Sequence, residues 1–200
     1  MSVKATTVRL RATYVLYLLA IALTALNSRP AGNAVGDWSL AGLAILLVAA
    51  ASLGRIWCSV FIAGRKDDEL VSMGPYACCR HPLYALSMAA GAGFAIATHS
   101  VAIGMGLFVA LLAMYRRAAV QEEAFLAERH GAQYLRYCAH TPRWWPRWRN
   151  YQLPSRLEVT PPLLWKSFLD AGANLLLVLA LISAHRIAGA TSIPGLFRLP

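Results

Sequence analysis

The sequence predicts an all-α fold, an integral membrane helical bundle of about five spanning helices, and three observations predict it. The 200 residues are 58% hydrophobic and only 14% charged, which is too apolar for an ordinary soluble domain. The apolar residues gather in long stretches, separated by short segments that hold nearly all the Arg and Lys. The net charge of +10 sits beside these stretches, where anionic headgroups and the positive-inside rule account for it. Membrane lipids are therefore the expected surroundings, and nucleic acid is not an expected partner.

The first apolar stretch, residues 12–27, follows Lys4, Arg9 and Arg11. Its charge pattern is like that of a signal peptide, but no clean small-x-small cleavage site follows, and a retained helix is expected. Residues 28–37, with Pro30, Gly32 and Gly36, form a turn-rich loop. Trp38 then opens a second span over 38–63 as an interfacial aromatic. Arg55 is the one charge within that span, and it either snorkels to the near interface or faces a polar cavity. After a polar connector, residues 82–98 form a third span whose Gly91 and Gly93 suit close helix packing. The chain turns at His99 and Ser100 and returns over 101–115. Residues placed symmetrically about that turn share a depth, which brings Arg80 and His81 level with Arg116 and Arg117. A long amphiphilic region follows, and then a fifth span over 169–184. The whole chain, 1–200, reads as one transmembrane domain without repeats. A cytoplasmic amino terminus puts fifteen basic residues inside and leaves Arg29, Arg186 and Arg198 outside, so an inner or cytoplasmic membrane with that orientation is expected.

The four cysteines, Cys58, Cys78, Cys79 and Cys138, show neither a CxxC nor a histidine at zinc spacing, so no metal and no redox pair are expected. They read as small apolar fillers. The clustered Trp and Arg residues from Arg143 to Arg149 read as an interfacial segment.

The chemistry is expected in two blocks, residues 64–84 and 116–146. Pro82 suits the first turn of a helix, which leaves His81 at a helix amino terminus where the dipole favours anions. Arg80 adds a permanent cation there, making a corner suited to a carboxylate. Glu122 and Glu123 bring negative charge to nearly the same depth, and Tyr84 falls one turn after Arg80 on the same face. The same residue types also serve as interfacial anchors and ion pairs, and spacing alone does not separate the two roles.

Glu69, Leu70, Val71, Gly74, Pro75 and Tyr76 lead into Arg80, His81, Pro82 and Tyr84. After the hydrophobic hairpin come Arg117, Glu122, Glu123, Gly131, Tyr134, Tyr137 and Pro146. In order and spacing the two blocks together resemble the isoprenylcysteine carboxyl methyltransferase family and its phospholipid methyltransferase relatives. The resemblance implies a methyltransferase with an S-adenosylmethionine pocket built from Gly74, Pro75, Tyr76, His81, Tyr84, Glu122 and Glu123. Arg or His for the carboxylate of that cofactor, and Glu for its amino and hydroxyl groups, form a chemically suitable set. The resemblance also implies a lipid or lipidated small-molecule acceptor entering sideways, with Arg80 and Arg117 placing an acceptor carboxylate and Glu122 completing the catalytic set. A carboxylate is already ionised at neutral pH and needs orientation more than a base.

Three other readings compete with carboxyl methylation. N-methylation of a phospholipid amine would need a base such as Glu122, Glu123 or His81, because an ammonium must first lose its proton. A sterol-reductase-like enzyme using a nicotinamide cofactor would share the RHP-type region, but such chains are much longer and this one has no GxGxxG. A non-catalytic membrane subunit that has kept the fold is the third.

Overall fold

The computed structural model describes residues 3–27, 34–62, 69–155, 157 and 159–190. Arg29, Arg65, Lys66, Arg156 and Arg198, counted above in the charge balance, lie outside the described residues. The chain is an all-α bundle: α1 (Val3–Leu26), α2 (Ala34–Ile62), a one-turn α3 (Pro75–Cys78), α4 (Pro82–Ala97), α5 (Val101–His140) and α6 (Pro161–Ala190). Four of these, α1, α2, α5 and α6, are long and apolar enough to cross a bilayer, and α4 is a shorter apolar helix. This is an integral membrane protein. At 1.5 Å per residue α4 spans only about 24 Å, less than the hydrocarbon thickness.

The helices outrun the apolar stretches that announce them. Helix α6 starts at Pro161 rather than near residue 169, because two prolines with preset φ open it and Leu163 and Leu164 donate their N–H groups to the Thr160 carbonyl. Helix α5 runs on over 40 residues with a kink at Gly131, so that its polar part past about Tyr115 continues beyond its apolar stretch. Hydropathy marks only the lipid-embedded part of a helix, whereas backbone hydrogen bonds continue it through the interface.

Helix α2 packs against both α4 and α6, α5 lies against α4 as a hairpin, and α1 lies against α5 and α6. The core is built by Tyr17 stacked on Phe94 with centroids 3.7 Å apart, and by Val48, Leu111, Val178 and Leu181, all fully buried. Leu46, Leu53 and Leu176 point outward and are about two-thirds exposed, as lipid-facing residues are. Close approach depends on two glycines. A Cβ on Gly93 would lie 2.9 Å from the Ala44 carbonyl oxygen of α2, and one on Gly104 would lie 2.7 Å from the Ala95 carbonyl oxygen of α4. Between α4 and α5, the Thr98 hydroxyl donates to the Ala95 carbonyl at 2.7 Å, and Ser100 Oγ accepts from the Ile103 N–H to cap α5.

After α5 the chain doubles back along the connector. Arg80 N–H donates to the Pro142 carbonyl at 2.9 Å, Arg147 N–H to the Cys78 carbonyl at 3.0 Å, and Gly74 N–H to the Gln152 carbonyl at 2.8 Å. Residues 142–152 thus form a strap running antiparallel to residues 74–80, which fixes both blocks of the sequence motif side by side.

Candidate active site

Gly74 makes the first turn of the site. Its φ is +60° and a Cβ there would overlap the Phe61 ring, so only glycine fits. The turn starts α3 and seats Tyr76, Cys78 and Cys79 in the interior. Burial pushes the Cys79 thiol up to about 11 and raises Cys78 as well, so both are neutral fillers. Gly131 makes the second turn. With φ +49° and ψ −124° it breaks α5, and the continuing chain carries Tyr137 back so that its hydroxyl donates to the Tyr76 carbonyl at 2.7 Å. Gly74, Gly131 and the bond from the Tyr137 hydroxyl to the Tyr76 carbonyl thus set the local fold of the two blocks.

His81 caps α4 with its backbone: its carbonyl accepts from Tyr84 and Ala85, while its ring makes no capping bond. The ring reaches Glu123, with Nε2 2.9 Å from Oε1. A carboxylate can only accept, so Nε2 carries the proton and Nδ1 keeps its lone pair. Burial, the largest influence, draws His81 below its ordinary value despite the opposing pull of Glu123 and Glu122, so the imidazole is neutral at pH 7. Glu123 also takes two hydrogen bonds from Arg143, at 2.9 and 2.5 Å, and lies 3.3 Å from Arg80. Arg80 bonds Cys138 Sγ in addition. Burial is the largest single influence and works against its charge, and Glu123 together with Cys138 and Tyr134 outweighs it. The cationic corner expected to hold a ligand carboxylate is thus matched by the chain's own Glu123.

Glu122 has a different setting. Its Oε2 accepts from the Tyr84 hydroxyl at 2.6 Å, the same hydroxyl takes a hydrogen bond from Arg9 of α1, and the Tyr84 ring stacks on His81 at 5.5 Å. These four residues line a cavity of about 350 Å³, within the range of small-molecule sites. The cavity continues between α1, α2, α4 and α6, past Tyr14, Arg55, Ser87 and Asp170. Arg55 bonds Ser87, which places Arg55 in the cavity rather than snorkelling outward.

The expected residues do not all converge. His81, Tyr84, Tyr76, Arg80 and Glu122 line the cavity, whereas Glu123 stands behind it as the hub of the ion-pair network and Gly74 and Pro75 shape the turn. Arg117 is exposed and is not among the lining residues. On α5 the inward positions are Tyr115, Ala118, Ala119, Glu122 and Leu126, a stripe of helical period that leaves Arg117 off its face. Nor does Arg80 meet residues 116 and 117. Side chains lean toward the amino end of their own helix, so Glu122 and Glu123 lean back toward the turn while His81, opening α4, leans away from it. Counting Cα positions about residues 99 and 100 therefore underestimates the match by about one helical turn.

Arg9 and Asp170, which line the cavity, and Arg143, which bonds Glu123, were missed by the sequence reading, and of the two readings of Arg55 the structure takes the cavity. The signal available for Arg9 is a buried stripe, Thr13, Tyr17, Ala20 and Thr24, spaced three and four residues apart along an apolar helix. Asp170 and Asn174 repeat the pattern on α6. At the opposite end of the bundle, Asp37, His99 and His185 also meet. The expectation of no metal rested on local spacing, and these three come from widely separated parts of the chain.

The Tyr76 hydroxyl, buried beside the cavity, has no partner among the described residues. An orphaned donor next to the Glu122–Tyr84 pair fits a ligand rich in hydroxyl and amino groups.

Comparison with known proteins bears out the resemblance: the family described as Phospholipid methyltransferase matches residues 39–133, which include α2, the Gly74 turn, α4 and the Glu122–Glu123 pair. Two curated relatives are the cobalt-zinc-cadmium resistance protein CzcN of Cupriavidus metallidurans, 37% identical over 120 residues, and the nickel-cobalt-cadmium resistance protein NccN of Alcaligenes xylosoxydans xylosoxydans, 37% identical over 109. The first alignment covers 58% of this chain and 55% of the relative, the second 54% and 51%. The chain thus spans about half the length of the curated relatives it matches. No solved structure matches it.

Proposed function

We propose that this chain is an S-adenosylmethionine-dependent methyltransferase acting on a membrane lipid or lipid-like acceptor. The observation that carries the reading is the cavity itself: a polar mouth of Glu122, Tyr84 and the unpartnered Tyr76 hydroxyl opens into an intramembrane cleft between α1, α2, α4 and α6. Bound S-adenosylmethionine supplies a methyl group on a sulfonium, ready for in-line displacement. Glu122 and Tyr76 suit its amino and ribose groups, and Glu123 holds Arg80 and His81 in place behind them. The charge balance of fifteen basic residues against three supports a cytoplasmic amino terminus and mouth.

For the acceptor we propose a carboxylate. Arg9 and Arg55 project into the cleft and take the orienting role that the family pattern suggested for Arg80 and Arg117. Holding an ionised carboxylate in line, in a slot closed to water, is itself a large part of the acceleration such a site provides. Methyl esterification also removes an anionic group that attracts divalent cations to a membrane surface, which accommodates relatives named for metal resistance. One observation favours the amine reading instead: neutral His81 presents Nδ1 as a base on the cavity wall.

Incubating the purified protein with membrane lipids and methyl-tritiated S-adenosylmethionine, then extracting the lipids and treating them with mild base, separates the readings. Ester label is released as volatile methanol, and this is the expected result. Base-stable label in amine headgroups would replace the carboxylate by an amine. Lipid that takes up no label would sink the proposal.

A further inference from the structure

We propose that Asp37, His99 and His185 form a second site, for a divalent transition-metal cation of the zinc and cobalt type, at the end of the bundle opposite the methyltransferase cavity. Each residue comes from a different place: Asp37 from the first turn of α2, His99 from the turn between α4 and α5, and His185 from the last turns of α6. Along α2, Asp37 and Ser59 of the cavity are 22 residues apart, about 33 Å of helix, so the two sites face opposite membrane surfaces.

The donor atoms of the three residues all lie within 4.8 Å of one another, with His99 Nδ1 3.7 Å from Asp37 Oδ1. The carboxylate and the His99 ring are largely shielded, at 14% and 6% side-chain exposure. Two imidazoles and one carboxylate are the donor set of three-ligand zinc sites that keep a position open, and imidazole suits zinc, nickel and cobalt alike. The two rings stack with centroids 4.1 Å apart and planes 6° from parallel. Bringing a nitrogen of each onto one ion takes rotation about χ2, which is a soft torsion for histidine.

A second observation points the same way. His99 is the one non-glycine with positive φ among the described residues, at +49°. Glycine is the residue that fits such a turn without strain, and a strained backbone marks a functional position when the side chain it presents has a use. Here the strained residue aims an imidazole between α2 and α6. The nearby cation, Arg186, lies over the Trp38 ring at 3.8 Å, which spreads its charge on an indole face beside Asp37.

The backbone strain supplies the decisive variant. His99→Gly removes a ligand while relieving the turn, so it keeps the fold and separates loss of metal from loss of structure. Detergent-purified protein, stripped with chelator, is titrated with Zn2+ by calorimetry and with Co2+ by visible absorption. The wild type is expected to bind about one equivalent, to gain thermal stability from Zn2+, and to show cobalt bands without thiolate charge transfer. His99→Gly and His185→Gln are expected to weaken binding at least tenfold and to lose the Zn2+-dependent rise in Tm. Absence of binding to the wild type, affinity unchanged in both variants, or thiolate charge transfer would each overturn the site. S-adenosylhomocysteine binding, measured alongside, is expected to be the same in the variants as in the wild type.

Discussion

Two adjacent glutamates have unlike roles, because one faces the cavity and the other faces three nitrogen-bearing side chains. Glu123→Gln keeps the size of the hub but leaves Arg80 and Arg143 without a carboxylate, and since these groups are partly screened the expected cost is about 1–3 kcal/mol of stability. Glu122→Gln removes the negative charge beside Tyr84 and His81 while leaving an amide oxygen to accept from Tyr84, so, if Glu122 holds the cofactor as proposed, it is expected to lower cofactor affinity at least tenfold with little change in Tm. Thermal unfolding in detergent with parallel binding measurements checks the contrast, and equal losses of stability in the two variants would contradict it. His81 gives the pH dependence. Burial holds its folded value below the ordinary one, so the folded chain binds fewer protons there than the unfolded chain. The stability linked to neutral His81 is complete above about pH 6.5 and is lost as pH falls through that value and below. Comparing Tm from pH 8 to pH 5 for the wild type and His81→Gln isolates this contribution: the wild type is expected to fall more steeply on acidification, and parallel curves would argue against it.

At the scale of elements, two glycine turns and two glycine contacts hold the helices where the site needs them. Gly131→Ala forces an alanine into a positive-φ conformation, and is expected to cost about 1–3 kcal/mol and to loosen the bond from Tyr137 to Tyr76. Gly93→Val sets methyl groups against the Ala44 carbonyl, which is backbone and yields little, with an expected loss of about 1–3 kcal/mol. Denaturation monitored by tryptophan fluorescence reads both, and a Gly93→Val protein as stable as the wild type would show that α2 and α4 are less tightly packed than described. The helices were legible in the sequence because apolar runs of spanning length suit a bilayer and little else, and the RHPxY and EE blocks were legible because their spacing is particular. Arg9 and Asp170 were not, and Arg55 stood open between the interface and a cavity. Each is a charged residue in a largely apolar helix, and only the packing of α1, α2 and α6 around one cleft brings them together. Arg143 was hidden differently, since a Trp- and Arg-rich strap suits an interface whether or not one arginine turns inward. The exposed position of Arg117 was not legible either, because its motif position says nothing of the face of α5 on which it falls.

The whole molecule is a bundle with a cavity lined by charged side chains toward one end and the Asp37, His99 and His185 cluster at the other. Leucines such as Leu46, Leu53 and Leu176 face outward while Arg9, Arg55, Glu122 and Asp170 turn into the cavity, as suits a chain whose solvent over the spans is the bilayer. The strap over residues 142–152 bonds to the connector that carries Tyr76 and Arg80, so the cavity lining depends on the whole length of α5 and not on the apolar hairpin alone. The central claim is that the mouth of this cavity holds the methyl donor. Calorimetric titration of the detergent-purified protein with S-adenosylhomocysteine tests it most directly: one site per chain is predicted, weakened at least tenfold by Glu122→Gln, and a correctly folded wild-type protein that binds none would contradict the account.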